Sequence, residues 1–325
     1  MVDARHFISA LAATMVIAFS AIHSSAENYP TRPVTIIAPW PPGAGVDTMA
    51  RILQPKFSES LGQPVVIENR PGSAGNNGAA AALRAAPDGY TLLLSVNATL
   101  VMNPFLYKSF PFDPKKDMTG IARLAETYMA LVVPGSSSIK SIPDLISEAK
   151  KLPGKLSYGS AGHGSGHHIA GESLNKNAGV EILHVPFVGT AAAVQNVLGG
   201  HVTMTYATLP TIVSFLENGQ LRIIGMAEDT RVKSMPDVPT IMETVPGVTT
   251  STWYGLFAPA GTPKPIVDRL YQAVRFALDD ADTRKKMERA GFAIALSTPE
   301  ELDARVRSDL EYWGKTIPAV GIEPR

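Results

Sequence analysis

A short apolar strand, a glycine-rich loop and an amphipathic helix follow one another near the start of the chain. The run Val34–Ala38 indicates a buried strand, and Asp47–Leu61 places its apolar residues on one helical face. The loop Pro39–Asp47 has glycines at its apex, and we expect Asp47 to cap the helix. Because a helix N-terminus presents free N–H groups and a positive dipole end, this loop is a candidate anion site with Trp40 as an apolar wall. From this loop alone, a tight turn that only needs glycine is equally consistent.

The same succession appears again in the middle of the chain. Leu156–Tyr158 is a predicted strand, residues 159–166 form a Gly/Ser-rich loop, and His167–Ala178 is a predicted helix. Short strands alternate with helices elsewhere too, which indicates βαβ units built around parallel sheets. Two apolar segments, Ile121–Pro134 and Thr252–Ala258, are suited to carry the chain between two such units.

These features predict an α/β protein with two lobes, one made from both ends of the chain and one inserted between two crossings. Each lobe is expected to be a βαβ-built sheet flanked by helices. We predict that residues 27–125 and 250–325 form lobe 1 and that residues 126–249 form lobe 2. Ligands of such arrangements bind where strand carboxyl ends meet helix N-termini, so a cleft between the two loops is the expected site.

Composition excludes several classes of partner and chemistry. The 325 residues are 45% hydrophobic and 18% charged, with a formal net charge of zero, which gives no electrostatic support for binding nucleic acid or anionic lipid. The chain contains no cysteine, so disulfides, thiolate nucleophiles and cysteine metal sites are ruled out. No P-loop or dinucleotide fingerprint is present, and we expect no cofactor.

The first 26 residues have the organisation of a cleaved signal peptide. Arg5 and His6 precede the apolar stretch Phe7–Ile22, which is followed by the small-x-small pattern Ser24–Ala26. The apolar stretch is short for a membrane span. We therefore expect an exported, freely soluble, periplasmic chain that begins near Glu27 and is not embedded in the membrane; a retained anchor is the alternative.

Two motifs suggest chemistry that the spacing does not support. The loop around Ser165 lacks the G-x-S-x-G spacing of a hydrolase elbow, although a serine hydrolase using Ser165 and His168 is kept as an alternative. His163, His167 and His168 could also suggest a metal site. The i, i+4 pair His163 and His167 would straddle a loop and a helix start, so helical metal-ligand geometry is not assured, and we expect no metal. We interpret the charges of the C-terminal helix as a solvated face; they are Glu300, Glu301, Asp303, Arg305, Arg307 and Asp309.

Several stretches together resemble one known family, the Bug (TctC-like) extracytoplasmic solute receptors of tripartite tricarboxylate transporters. The similarity runs along the whole mature chain. The stretches are Tyr29–Ile37, Pro41–Asp47, Glu68–Gly72, Pro87–Leu94, Leu198–Val202, Pro236–Thr240 and Trp253–Pro263.

The resemblance implies a two-lobed periplasmic binding protein (type II-like, a Venus flytrap) without catalysis of its own. It would hold a small organic acid through backbone N–H groups of two glycine-rich loops, often with bridging waters. In this chain those loops are Trp40–Asp47 and Ser160–His168, and the family also uses the helix start at Gly189 and Thr190. Asn97 follows a predicted strand and is a further candidate. The predicted ligand-binding residues are Trp40, Gly43, Ala44, Gly45, Asp47, Asn97, Ser160, Ala161, Ser165, His168, Gly189, Thr190 and Ala207.

The chain departs from the family pattern at a few of these positions. Ala44 stands where glycine is frequent, His163 where proline is common, and Thr203 and Ala207 where the family often has aspartate. The missing carboxylates argue against a cationic solute and leave apolar, aromatic, di- and tricarboxylic acids open. The implied partners are the membrane permease subunits of the transporter, and the receptor is expected to be a monomer. A periplasmic sensor that presents its solute to a signalling receptor is the alternative.

Overall fold

We describe a computed structural model of the chain that covers residues 29–233, 235–250, 252–319 and 321–324. The predicted signal peptide, residues 1–26, and the predicted mature start at Glu27 lie outside the described residues. Within the described residues, none of the helices combines the length and the apolar content needed to span a bilayer.

Six strands form the first sheet, in the order β11-β4-β10-β3-β1-β2. β1 pairs in parallel with β2 and β3, whereas β10 is antiparallel to β3 and β4, and β11 is antiparallel to β4. The strands are β1 (Val34–Ala38), β2 (Val65–Asn69), β3 (Thr91–Val96), β4 (Met118–Thr127), β10 (Thr252–Pro259) and β11 (Phe292–Ile294).

Five strands form the second sheet, in the order β7-β6-β8-β5-β9. β6 is parallel to β7 and β8, and β5 is antiparallel to β8 and β9. The strands are β5 (Met129–Pro134), β6 (Ser157–Ser160), β7 (Leu183–Pro186), β8 (Met204–Thr208) and β9 (Leu221–Met226). Each sheet therefore has a parallel half, as predicted from the alternation of strands and helices, and an antiparallel half.

Helices follow most of the parallel strands. They are α1 (Gly45–Leu61), α2 (Asn76–Leu83), α3 (Ile142–Lys151), α4 (Gly166–Ala178), α5 (Thr190–Leu198), α6 (Leu209–Glu217), α7 (Lys264–Asp279), α8 (Ala281–Arg289) and α9 (Pro299–Ala319). Short 3-10 turns lie at Ser73–Gly75, Asn103–Phe105 and Ile241–Glu243, and one π turn lies at Ala98–Met102. Ser141 caps α3: its side chain accepts the N–H of Asp144 at 3.2 Å.

Both sheets are packed by helices on both faces. In β10 the side chains of Tyr254 and Leu256 join one apolar cluster, and those of Trp253 and Phe257 join the cluster on the opposite face. β5 divides its residues between two clusters in the same alternating way. Because successive side chains of a strand point to opposite faces, four cores result, two for each sheet. Burial of these apolar faces fixes the orientation of the strands and hence of the loops at their ends.

The C-terminal helix α9 corrects the expectation of a wholly solvated charged face. Asp303 accepts the N–H of Gly120 at 3.0 Å, and the buried Asp309 accepts the indole N–H of Trp253 at 2.7 Å. Arg305 donates to the second oxygen of Asp309 at 2.7 Å. These acidic groups dock the helix on the first sheet, which sequence spacing alone could not reveal.

The chain passes between the sheets in two places, and one of them differs from the prediction. A single residue, Tyr128, separates β4 in the first sheet from β5 in the second. β10 was expected to form the return crossing, but all eight of its residues are buried and it lies wholly within the first sheet. The return therefore occurs before it, at the end of residues 227–251, because Val248 still packs in a core of the second sheet. The predicted lobe boundaries at 125/126 and 249/250 lie near these passages and stay a prediction.

Main-chain hydrogen bonds tie the two passages together. Met129 accepts the N–H of Ala227 at 2.7 Å, and Ala227 accepts the N–H of Thr250 at 2.8 Å. The N–H of Met129 donates to a carboxyl oxygen of Glu228 at 3.0 Å. Burial raises the pKa of Glu228 to about 8 against the opposing effect of the Met129 N–H, and the nearby Asp229 and Glu126 raise it further.

Replacing Glu228 with glutamine is expected to remove a pH dependence of stability. The folded carboxyl keeps its proton to about pH 8, whereas the unfolded one loses it near its ordinary pKa of 4.5. Between these values the folded state binds more protons, so the wild type loses stability as pH rises and the loss levels off above the folded pKa. Glu228→Gln keeps an acceptor for Met129 and no longer titrates.

Thermal unfolding of both proteins from pH 4 to pH 9 measures this effect, because other titrating groups cancel in the difference. The melting temperature of the variant minus that of the wild type should grow from pH 4.5 to pH 8 and then stay constant. Two melting curves that run parallel across this range would contradict the prediction.

Candidate functional site

A cavity lies between the two sheets, where loops from both of them meet. The empty space there is about 560 Å³, a volume that includes the solvent at its open mouth. None of the described residues that line it is Asp, Glu, Lys or Arg. The lining residues are Trp40, Ala44, Gly45, Val46, Val96, Asn97, Ala98, Met102, Met129, Ala161, Ser165, Gly166, His167, Thr190, Thr208, Thr252 and Tyr254.

Four helices begin at the cavity wall. Gly45 and Gly166 are the first residues of α1 and α4, Thr190 is the first residue of α5, and Thr208 is the N-cap residue of α6. Each helix follows the carboxyl end of a strand, β1, β6, β7 or β8. The first N–H groups of a helix have no acceptor within the helix, and its N-terminus carries the positive end of the dipole. The cavity is therefore polarised toward anions without a charged side chain.

Asp47 does not have the capping role that we predicted. The N-cap residue of α1 is Ala44, and Asp47 lies in the first turn, where its carboxylate accepts the N–H of Gly43 at 2.9 Å. Arg51 also donates to this carboxylate at 3.0 Å. Although burial favours protonation, Arg51 and the Gly43 N–H hold the pKa of Asp47 below its usual value. The carboxylate therefore bonds the backbone of its own loop, and Asp47 does not line the cavity.

Gly45 is held against a tyrosine of the central strand β10. A Cβ atom at Gly45 would lie 2.5 Å from the hydroxyl oxygen of Tyr254, a distance that real Cβ contacts do not reach. The side chain of Thr208, which belongs to the second sheet, lies near the Tyr254 hydroxyl and lowers its pKa somewhat. Burial keeps the pKa of Tyr254 above its usual value, so the hydroxyl stays protonated. This contact joins the two sheets at the cavity.

The second glycine-rich loop is organised by its serines. Ser165 is the N-cap of α4: its hydroxyl accepts the N–H of His168 at 3.3 Å and donates to the carbonyl of Gly162 at 2.7 Å. The Nδ1 atom of His168 accepts the N–H of Gly164 at 3.2 Å. The hydroxyl thus bonds the backbone of His168 and not its ring, so these two residues do not form the nucleophile–base pair that the hydrolase alternative requires.

His167 is a cavity residue that we did not predict as a ligand contact. Its ring is buried, Nε2 lies 3.3 Å from the hydroxyl oxygen of Thr190, and burial lowers its pKa to about 4. The imidazole is therefore neutral at physiological pH and contributes one donor and one acceptor. Its Nδ1 has no hydrogen-bond partner among the described residues, and the same holds for Nε1 of Trp40. Both side chains line the cavity.

The structure brings seven of the thirteen predicted ligand-binding residues to the cavity wall and places six elsewhere. Those at the wall are Trp40, Ala44, Gly45, Asn97, Ala161, Ser165 and Thr190. Those elsewhere are Gly43, Asp47, Ser160, His168, Gly189 and Ala207. Gly43 is at the exposed loop tip, Gly189 is the N-cap of α5, and Ala207 is packed in a core of the second sheet.

Most of the cavity residues that were not predicted lie outside the predicted glycine-rich loops. Tyr254 and Thr252 lie at the start of β10, and Met129 begins β5. The apolar residues around them in the sequence indicated a buried core and not a binding site. Thr208 could have been predicted from the sequence, because it lies between a strand and a helix, as the predicted loops do. Met102 belongs to the π turn, for which the sequence gives no clear signal.

Comparison with known proteins gives a consistent result. Residues 49–322 match the sequence model of the family described as "Tripartite tricarboxylate transporter family receptor". The UPF0065 protein of the tcbD-tcbE intergenic region of Pseudomonas sp. (strain P51) is 37% identical over 294 residues, which is 90% of this chain and 87% of that protein. Protein BugT of Bordetella pertussis is 31% identical over 299 residues, 91% of this chain and 92% of that protein.

Solved structures agree with the sequence relatives and confirm the predicted fold class. Periplasmic binding protein BugD has a TM-score of 0.85 at 31% identity, covering 91% of this chain and 100% of that one. R. palustris Rpa4515, solved with adipate, has a TM-score of 0.87 at 32% identity with the same coverage. MatC from Rhodopseudomonas palustris, solved with malate, has a TM-score of 0.82 at 32% identity and covers 89% of this chain and 100% of that one.

The first residues of α1 and α4 provide a matched pair of substitutions. Gly45→Ala puts a methyl group against the Tyr254 hydroxyl, whereas a Cβ at Gly166 meets its nearest atoms, in Met129 and Thr250, at 3.4 Å, an ordinary contact. Neither glycine has a positive φ, so backbone strain does not separate the two changes. We expect Gly45→Ala to lower the free energy of unfolding by about 1–3 kcal/mol and Gly166→Ala to change it little. Urea unfolding checks this; equal losses in the two variants would contradict the Gly45–Tyr254 packing.

Proposed function

Because the chain belongs to the tripartite tricarboxylate transporter receptor family, we propose that it captures a small organic carboxylate outside the cytoplasm and delivers it to the membrane subunits of such a transporter. Membership in a family of solute receptors confirms the prediction that the protein is not an enzyme. It also confirms the family that the sequence motifs indicated. The identity of the solute and the delivery step are the parts that we propose.

The observation that carries the proposal is the convergence of four helix N-termini on a cavity that has no charged lining residue. Each N-terminus acts as roughly half a positive charge, so four of them supply at most about two. About two positive charges can balance the negative charge of one or two carboxylates but not of three. We infer a mono- or dicarboxylate, which agrees with the adipate and malate that two related structures contain.

The remaining lining favours a solute with an apolar body. Trp40, Val96, Met102 and Met129 contribute apolar surface, and the polar groups among them are neutral hydroxyls, one amide and one imidazole. Apolar surface of the solute gains roughly 25 cal/mol per Å² when it is buried there. A carboxylate held at the helix N-termini with its carbon chain against these residues satisfies both kinds of surface.

Hydrogen bonding at the wall supports direct recognition of the solute. His167 Nδ1 and Trp40 Nε1 are buried polar atoms without a partner among the described residues, and a bound solute or its waters would relieve that cost. Capture is proposed to proceed by docking on one loop, followed by bending at the passages near Tyr128 and in residues 227–251. Export through the predicted signal peptide would place the receptor where its solute arrives.

A panel of carboxylates and their uncharged amides tests the proposal directly. Thermal shift and then calorimetry would be run on the purified protein with mono-, di- and tricarboxylates, each paired with the matching amide. We expect at least one mono- or dicarboxylate to raise the melting temperature, because a ligand that binds only the folded state stabilises it by mass action. Its amide should have no effect.

Two results would overturn the assignment. Shifts with amides or cations and none with acids would refute the anion site. A stronger shift with tricarboxylates than with any smaller acid would refute the charge limit that the four dipoles set. Delivery is tested separately, by asking whether deletion of adjacent permease genes abolishes uptake of the identified acid.

Thr190→Val isolates one hydroxyl of the cavity wall without changing its size. We expect the affinity for the identified acid to fall about tenfold, the value of one lost hydrogen bond of about 1.4 kcal/mol. Thr316→Val is the control, because the hydroxyl of Thr316 bonds the carbonyl of Tyr312 within α9 and does not line the cavity. Calorimetry on both variants gives the comparison, and unchanged affinity in Thr190→Val would remove this hydroxyl from the site.

A further inference from the structure

Three histidines from distant parts of the chain meet beside the second glycine-rich loop. His163 is in the loop, His168 is in the first turn of α4, and His184 is in the edge strand β7. The rings of His168 and His184 stack with centroids 4.0 Å apart, and His163 approaches each of them edge-on at 4.8 Å. One ring nitrogen from each residue lies within 4.8 Å of the others.

This cluster is separate from the cavity. None of its members lines the cavity wall, although Ala161, Ser165 and Gly166 of the same segment do. His168 is buried, while His163 and His184 are partly exposed, so the cluster is accessible from solvent on one side. The prediction of no metal weighed His163, His167 and His168 and rested on the doubtful geometry of the pair His163 and His167; in the structure, His163 groups with His168 and His184.

A neighbouring hydroxyl is positioned as an outer ligand contact. Ser160 Oγ lies 2.6 Å from Nε2 of His184, and the same oxygen accepts the N–H of Gly162 at 3.1 Å. Metal-bound imidazoles usually have such a partner on the nitrogen that does not face the ion, which fixes the ring orientation. His184 also stacks on Tyr158, with ring centroids 5.0 Å apart.

We propose that His163, His168 and His184 form a binding site for a divalent transition-metal ion of the zinc class, with water completing the coordination. Imidazole nitrogen is a preferred ligand of zinc, nickel, copper and cobalt and a poor one for calcium or magnesium. Three histidines with an open fourth position are a known zinc arrangement. This inference goes beyond the proposed solute binding and does not depend on it.

Closure of the site requires the stacked rings of His168 and His184 to turn, because the lone pair of an imidazole nitrogen lies in the plane of its ring and two parallel rings cannot both direct theirs at one ion. A tetrahedral ion with bonds of about 2.0–2.1 Å holds its nitrogens about 3.3 Å apart, closer than the present 4.8 Å limit. His163 lies between Gly162 and Gly164, both at positive φ, in a segment where glycine permits backbone adjustment. His168 Nδ1 now accepts the Gly164 N–H, so coordination through this ring exchanges a 3.2 Å hydrogen bond for a metal bond or turns the ring.

The test uses the chain exported with its own first 26 residues and purified without a polyhistidine tag. Calorimetry with Zn²⁺ alone, and visible absorption with Co²⁺ alone, measure affinity, stoichiometry and coordination. We expect one ion per chain and a Co²⁺ spectrum of nitrogen ligation. His163→Ala and His184→Ala should each weaken binding about 100-fold, and Ser160→Ala about tenfold.

His201→Ala is the matched control, because His201 is exposed and lies outside the cluster; it should bind as the wild type does. His163 is the more informative of the two removals, since its ring is partly exposed and its loss should leave the melting temperature of the metal-free protein unchanged. Absence of zinc binding by the wild type would overturn the proposal. Equal binding by the wild type, His163→Ala and His184→Ala would overturn it as well.

Discussion

Backbone dipoles supply the positive potential of the cavity, and the rest of the architecture serves to bring them together. Helices α1, α4, α5 and α6 each follow a strand of a parallel half-sheet, so their N-termini all lie at strand carboxyl ends. Those ends can face one another only because the chain changes sheets between Thr127 and Met129 with one residue intervening. A fixed arginine would provide a stronger field but would also bind solvent anions when the solute is absent. Dipoles and hydroxyls give a weaker positive field. It is sufficient to bind a carboxylate and still allows the carboxylate to dissociate.

Close packing at one point makes this arrangement possible. Gly45 begins α1 directly against the hydroxyl of Tyr254, and Thr208, the N-cap residue of α6, lies near the same hydroxyl. One buried side chain of the first sheet therefore positions helix starts from both sheets. The second loop is fixed in a similar way, since Gly164 packs against Leu106 of the first half of the chain. Solute recognition and contact between the sheets consequently depend on the same few residues.

The elements that depend on local sequence signals were predicted, whereas the contacts that depend on tertiary structure were not. The strand–loop–helix pattern placed β1, α1, β6 and α4 within a few residues, because hydrophobic periodicity and glycine position are local signals. Asp47 was misassigned because capping by a first-turn carboxylate and capping by an N-cap side chain share the same residue types. The sequence could not predict Tyr254 and Met129 as cavity residues, because nothing in an apolar strand indicates which loop of the folded protein lies against it. The grouping of His184 with His163 depends on the order of strands in the second sheet, which the sequence does not state.

Helix α4 connects the proposed solute site and the proposed metal site. Gly166 and His167 of its first turn line the cavity, while His168 in the same turn belongs to the histidine cluster. A cation at a helix N-terminus opposes the dipole, whereas an anion there is favoured. An acid bound in the cavity therefore offsets the repulsion between the dipole of α4 and an ion held by His168. Because coupling between two binding sites is reciprocal, the ion must strengthen binding of the acid by the same factor by which the acid strengthens binding of the ion.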